Sequence, residues 1–505
     1  MKRIFTIFLC LIMLISVSSC GKTYSNQINV GTASFIKTLD PQLAQSSCEL
    51  MAVRNIFEGL FRFDKSGQLT LAAAESYSVD GNVLTLKIKK DLLWSNGEPL
   101  TAHDFVFGFK RAADPVTNAP NANMLCDILN AEDILNGNKG VNSLGVLAAD
   151  DYTLKITLNK YSSDFLSLLT NAVFMPCNEK FFKECSGKYG RDIEDTISNG
   201  SYKISSWNTE NFTVRLIRNK NYGGDFRAET TNVVLQYLPM TERAEKLKEN
   251  GYDLIFQDST FSLSDTDEVY NEVEFENTSW LLIFADRIPQ NIRKAFIVTP
   301  DFEKIISESK ELKFSNNIFP NCDYNVSYKI DGKIDAAKLF SDAVKESYTN
   351  KVPTYTIGYI DSTDTKSILS AIATSWQREL GAFINISARQ SQTDLISASL
   401  LGEVDIMLMP IINSTEDYST IPDKFSDFSS FAGIGTQDIL NAKAKLSDVN
   451  ESTLNSAQNC LLKNDTVLPL AFSSEKIVYS ENLTVDNVKF GNGYIDFYSA
   501  VKIYK

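Results

Sequence analysis

The residues able to do chemistry are few in kind. His103 is the only histidine among 505 residues, so a Ser-His-Asp or Cys-His mechanism would have to use it or none. It lies between Ala102 and Asp104, in what reads as the first turn of a structural helix, where it is expected beside the cap rather than in catalysis. Eight cysteines stand at positions 10, 20, 48, 126, 177, 185, 322 and 460. Their spacing matches no zinc pattern, and only one histidine is present to help. Cys177 and Cys185 are near enough in the chain to pair, but free thiols are the expectation for most of the six cysteines beyond Cys20. Carboxylates are numerous, yet no spacing singles out an acid–base pair. There is no Walker A sequence and no Gly-x-Gly-x-x-Gly after a strand. An enzyme is disfavoured, and neither metal nor cofactor is expected.

Composition bounds what could position a site. The chain is well beyond the usual size of one domain, so two or three lobes are expected. Hydrophobic residues at 43% and aromatic residues at 11% allow a sizeable core. A formal net charge of −14 argues against nucleic acid, whose phosphates need a basic surface. The acidity is read as an aid to solubility.

The amino terminus reads as an export signal. Lys2 and Arg3 precede an apolar run over residues 4–17 that is interrupted only by Thr6 and Ser16. That run is short for a permanent membrane span. It ends in Val17-Ser18-Ser19-Cys20-Gly21, which resembles a bacterial lipobox. The resemblance implies that Cys20 receives a diacylglycerol and becomes the mature amino terminus. Acyl chains stabilise membrane attachment by about 0.8 kcal/mol per buried CH₂, so a tethered domain is expected. A plain secretory signal that contains a cysteine is the alternative.

The most informative stretch runs from Thr85 to Arg111. Leu84, Leu86 and Ile88 alternate with polar residues and predict a strand. Asn96-Gly97 marks a tight turn, because glycine takes the positive φ that other residues resist. Thr101, with Asp104 three residues on, is close to a capping box, and Phe105, Phe109 and Ala112 follow at helical spacing. This order of strand, Trp94-Ser-Asn-Gly-Glu-Pro99 turn and Thr101-Ala-His-Asp104 helix start resembles the solute-binding proteins of peptide-importing ABC transporters, the oligopeptide- and dipeptide-binding group. Other landmarks agree: Leu39-Asp40-Pro41, Phe57-Glu58-Gly59-Leu60, Asn199-Gly200-x-Tyr202, and Asn219-x-x-Tyr222.

The resemblance implies an α/β, two-lobed periplasmic-binding-protein-like fold (type II, cluster C) with an extra inserted lobe and a hinged ligand cleft. The expected division is a signal peptide at 1–19, first-lobe segments at 20–64, 177–279 and 474–505, an inserted lobe at 65–176, and a further large lobe at 280–473. Chain crossings near 280 and 473 would be the hinges. Ala44, Gln45, Ser46 and Ser47 are implied to run beside a ligand backbone and bond it as an added strand; an ordinary polar loop is the other reading. Asn121 stands where many members offer a tyrosine, and Ser414 where oligopeptide-binding members have a tryptophan. Asp417-Tyr418 falls where an aspartate meets the peptide α-ammonium, a charge-assisted contact, or else is a solvated loop pair.

The implied function is a lipid-anchored binding protein on the outer face of the bacterial cytoplasmic membrane. It would be a monomer that takes peptides and docks on permease subunits, with ATPase subunits engaged indirectly. The alternatives are a same-fold protein for nickel chelates, haem or sugars, a peptide sensor, an adhesin or a secreted enzyme.

Overall fold

The computed structural model describes residues 23–249, 251–258, 270–320, 322, 324–328, 334–348, 351–361, 363–413, 418–446, 449–485 and 495–504. Strands alternate with helices along most of the chain, as the patterning predicts.

One mixed sheet of eleven strands is the frame. Its order is Phe383–Arg389, Thr354–Ile360, Ile406–Ile412, Tyr270–Phe284, Val467–Ser480, Leu254–Asp258, Gln27–Thr32, Asn232–Tyr237, Thr213–Arg218 and Tyr202–Asn208, with Leu312–Phe314 added beside Val467–Ser480. The two longest strands, Tyr270–Phe284 and Val467–Ser480, pair antiparallel at its centre. Val467–Ser480 serves two cores. Leu281–Ala285 and residues 467, 468, 470 and 471 belong to one apolar cluster, whereas Ile477 belongs to another. Their middle residues, such as Asn277, Thr278, Ser474 and Glu475, are polar. A buried apolar strand that turns polar half-way along has left one core before entering the next.

A separate antiparallel sheet holds Ala74–Asp80, Val83–Ile88, Thr153–Thr157 and Val146–Asp150. The alternating stretch 150–158 is thus divided, its first residue ending one strand and the rest opening the next after a turn at Asp151-Tyr152. Leu84, Leu86, Leu154 and Ile156 pack into the same cluster as Ile28 and Val30 of the large sheet.

The stretch 85–111 folds as its residue types predict. Gly97 has φ +90° and its N–H closes the turn onto Trp94 O at 2.8 Å. The helix Ala102–Ala113 begins after Thr101, whose N–H and hydroxyl donate to Asp104 Oδ2 at 2.7 and 3.2 Å. Burial pushes the Asp104 carboxyl up to about 6, against the pull of its bonds from Thr101. His103, on the outer side of the same turn, faces the exposed Asp151 at 3.4 Å.

The sequence landmarks interlock rather than line a pocket. Asn199 Nδ2 donates to Glu58 O at 2.8 Å, and Glu58 N donates to Asn199 Oδ1 at 3.1 Å. A Cβ on Gly200 would lie 2.7 Å from the Ile56 carbonyl carbon, so only glycine fits there. Tyr222 OH donates to the buried Glu58 carboxylate, and Asn219 Nδ2 donates to Gly200 O at 3.0 Å. Trp94 is fully buried with its ring edge-on to Phe57. Cys48, Cys177 and Cys185 are buried free thiols, and Cys126, Cys322 and Cys460 are half-buried free thiols. The 177–185 pair therefore contributes packing around Tyr189 rather than a cross-link.

Candidate functional site

Asp40 fixes the start of the candidate site. Its carboxylate is buried and receives Arg111 of the helix Ala102–Ala113 through both guanidinium arms, one at 2.8 Å. The same Arg111 nitrogen donates to Gln42 Oε1 at 2.7 Å, and the guanidinium lies 4.3 Å from the Phe182 ring centroid. The Leu-Asp-Pro landmark is thus an anchor between segments. Its backbone then turns, with Leu43 N and Ala44 N both donating to Asp40 O at 3.0 Å.

That turn delivers the segment 44–47 to the head of the helix Ser47–Ile56. Ser46 is the N-cap and forms a reciprocal capping box with Glu49. The Glu49 carboxylate accepts from the N–H groups of Lys37, Gln45 and Ser46, each at 3.1 Å. The segment is a capped turn, not a strand, and the amides of residues 44, 45 and 46 are already bonded. The carbonyls of Ala44 and Gln45 accept nothing among the described residues. The Ala44 side chain is buried in the first core, so only its backbone can face a ligand. Ser47 Oγ points to Glu475 Oε1 at 3.4 Å.

Glu475 and Asn277, from the middle of the two crossing strands, carry the site onward. Asn277 bonds the Glu475 carboxylate through its side chain, while its Oδ1 accepts from Thr278 Oγ1 at 2.9 Å. Asn413 N donates to Asn277 O at 2.7 Å. Asn413 ends the strand side of the segment holding Ser414 and Asp417, both of which lie outside the described residues. Tyr418 resumes the chain as a half-buried residue whose ring meets Phe319 edge-on at 5.4 Å. The chain Ser47, Glu475, Asn277, Asn413 therefore joins the two segments marked from sequence across a polar floor. Burial raises the Glu475 carboxyl above its ordinary range, and the Asn277 and Ser47 bonds and the Arg243 charge offset this only in part.

Asn121 sits apart from that floor. It lines a small cavity with Leu50 and Arg54, further along the helix Ser47–Ile56, and with Met124, Asn171 and Val173. Two residues on, Asn123 Nδ2 donates to Asp423 Oδ2 at 3.1 Å, and Lys443 Nζ meets the same oxygen at 3.0 Å. Asp423 belongs with the second apolar cluster, between Ile421 and Phe425, and Asn123 with the first, beside Met124 and Leu125. Glu475, Asn277, Asn123 and Asp423 escaped the sequence reading. The visible signal for Glu475 is a polar break, Ser473-Ser474-Glu475-Lys476, inside an otherwise mostly apolar strand, whereas Asn277 ends the charged half of Tyr270–Phe284 and carries no such signal.

Among the described residues no group of three or more His, Cys, Asp or Glu is gathered to hold a metal ion, and no helix is long and apolar enough to cross a membrane. Cys20 lies outside the described residues.

Comparison with known proteins decides the family. Residues 66–431 match the model of the bacterial extracellular solute-binding proteins, family 5 Middle. The chain belongs to this family. Its members bind substrates rather than transform them. Over 390 residues the chain is 27% identical to the periplasmic oligopeptide-binding protein OppA of Salmonella typhimurium, covering 71% of this chain and 70% of that one. It is 26% identical to the dipeptide-binding protein DppE of Bacillus subtilis over 370 residues, covering 69% and 68%. The substrate-binding domain of an oligopeptide ABC transporter from Bacillus anthracis superposes with a TM-score of 0.78 at 23% identity, covering 96% of this chain and all of that one. The family 5 fold is thus the two-lobed α/β arrangement that the landmarks imply. In it, the crossing strands Tyr270–Phe284 and Val467–Ser480 carry the polar floor between the two cores.

Proposed function

We propose that this family 5 protein captures oligopeptides between its lobes and delivers them to the permease subunits of an ABC importer. The observation that carries the reading is the shared floor. The segment 44–47 and the chain leaving Asn413 come from opposite ends of the sequence and meet through Glu475 and Asn277. Two sequence relatives that align over about 70% of the chain are named for oligopeptide and dipeptide binding.

A peptide backbone here would be held on one side by the open carbonyls of Ala44 and Gln45, which accept from its N–H groups. On the other side Ser414, Asp417 and Tyr418 would flank its amino end, with Asp417 bonding the α-ammonium. Asn121 would contribute from the side of the helix Ser47–Ile56. The lobes are those with boundaries near 64, 176, 279 and 473, and they would close on ligand about the crossing strands, because a ligand that touches both lobes favours the closed state. Cys20 would carry the lipid that holds a monomer on the outer membrane face, so that a loaded lobe pair docks on the permease from outside.

The test is native mass spectrometry on the chain from Gly21, purified without refolding. Adducts that fragment as a peptide ladder are expected. A single non-peptide adduct would overturn the ligand class and favour a nickel chelate, haem or sugar.

A further inference from the structure

Among the described residues of the polar floor, Glu475 is the acidic side chain whose surroundings do not account for it. Its carboxylate meets two neutral donors, Ser47 Oγ at 3.4 Å and the Asn277 side chain. Among the described residues no Lys, Arg or His lies within ion-pair distance of it. Arg243, whose charge reaches it most strongly, donates to the carbonyls of Leu238 at 3.0 Å and Ala33 at 3.2 Å. The neighbouring helix does not need it either, since Ser46 and Glu49 already complete its cap.

A carboxylate withdrawn from water is costly unless a cation or several donors face it. Among the described residues, the other buried acids have either a cation or a set of short hydrogen bonds: Glu49 accepts from three backbone N–H groups and Asp104 from the Thr101 N–H and hydroxyl. Asp40 has Arg111 in both arms, Glu58 has Arg62 and Tyr222, and Asp253 has Lys502 at 2.6 Å. Glu475 has neither a cation nor a short bond, its Ser47 contact being 3.4 Å long, and it is only half-buried. It is also placed where the two ligand-flanking segments meet.

We propose that Glu475 completes its coordination with a positively charged group of the ligand, an ammonium or guanidinium, so that cationic ligands are selected over neutral ones. This rests on the peptide reading above and specifies the chemistry of that ligand. The cation is a lysine or arginine side chain, since the α-ammonium is assigned above to Asp417. Both present N–H donors that form charge-assisted bonds to a carboxylate.

The experiment is isothermal titration of the mature chain and its Glu475→Gln variant with defined peptides. One set carries a single lysine moved along an alanine frame. A second replaces that lysine by norleucine, and a third is amino-acetylated. Glutamine keeps the shape and the Ser47 and Asn277 contacts, so the variant should fold as the parent does, checked by its melting temperature. The expected result is a loss of at least about tenfold in the variant for peptides bearing the cation, with little change for those lacking it. Norleucine replacement should abolish the difference between parent and variant; a difference abolished by acetylation instead would overturn the side-chain assignment. Equal affinity of parent and variant for every peptide would overturn the assignment while leaving peptide binding intact. Binding of no peptide by the parent would overturn both.

Discussion

Asn123 and Asp423 are separated by 300 positions, yet the Asn123 side-chain amide donates to Asp423 Oδ2 at 3.1 Å. Lys443 holds the same oxygen from the far side at 3.0 Å. The contact ties a short helical turn packed on the first core to one packed on the second, so under the proposed closure it would form only when the lobes are close. Its energy would then favour the closed state and appear directly in ligand affinity. Asp423→Ala should weaken binding by about tenfold or more, the worth of about 1.5–3 kcal/mol from a hydrogen bond to a charged group. Titration calorimetry reads the affinity, and small-angle scattering of the unliganded protein should show a larger radius of gyration. An unchanged affinity together with an unchanged radius would remove this clasp from the closure equilibrium.

The Asp40–Arg111 pair should behave oppositely, as a matter of stability and not of closure. Both side chains are buried, so removing one leaves the other charged and desolvated. Asp40→Ala or Arg111→Met should each cost about 3–5 kcal/mol in urea unfolding. Replacing both by apolar residues should recover much of that loss. A single-variant loss below about 1 kcal/mol would show that the pair is not isolated from water.

Asp104 makes stability depend on pH. Its carboxyl is raised by burial from 3.8 to about 6. Between those values the folded chain binds a proton that the unfolded chain releases, so this group's contribution falls as pH rises through the window and is constant above it. Two pH units correspond to roughly 3 kcal/mol. Asp104→Asn should remove that slope, and the difference between wild type and variant in urea melts from about pH 3.5 to about pH 7 isolates it. Parallel curves would mean that Asp104 titrates at its ordinary value.

The α-ammonium contact proposed for Asp417 has its own signature. Asp417→Asn should weaken peptides with a free amino end far more than acetylated ones, by about tenfold or more for a charge-assisted bond. Equal loss for both kinds of peptide would take Asp417 out of the site.

Anchoring is tested in cells. Cys20→Ser should release the protein from membranes or leave it as unprocessed precursor, because no acyl chain can then be attached. Normal processing with full membrane retention would count against a lipid at Cys20.

The sequence by itself determined the local structure and the family. The alternation of Leu84, Leu86 and Ile88, the Asn96-Gly97 turn and the Thr101–Asp104 cap each depend on neighbours a few residues away, so residue type alone specifies them. Landmarks such as Asn199-Gly200 and Phe57-Glu58-Gly59 were legible for a related reason. They lock onto each other in the first lobe, where a Cβ on Gly200 would collide with Ile56, and the fold therefore dictates their identity. The flanking segments of the site were marked through those same landmarks.

Tertiary structure decided what lies between them. Ser47 and Glu475 are 428 positions apart and meet only because the register of the two crossing strands sets Glu475 beside the head of the helix Ser47–Ile56. A polar break in a strand has no meaning from its own neighbours, since the same residues would serve an exposed edge equally well. Only the packing of two cores on one continuous sheet turns Asn277 and Glu475 into the floor they share. The backbone amides of Gln45 and Ser46 are a similar case. The family resemblance implies that they bond a ligand as an added strand, but the Glu49 carboxylate reaches their amides first and leaves the carbonyls of Ala44 and Gln45 as the open side.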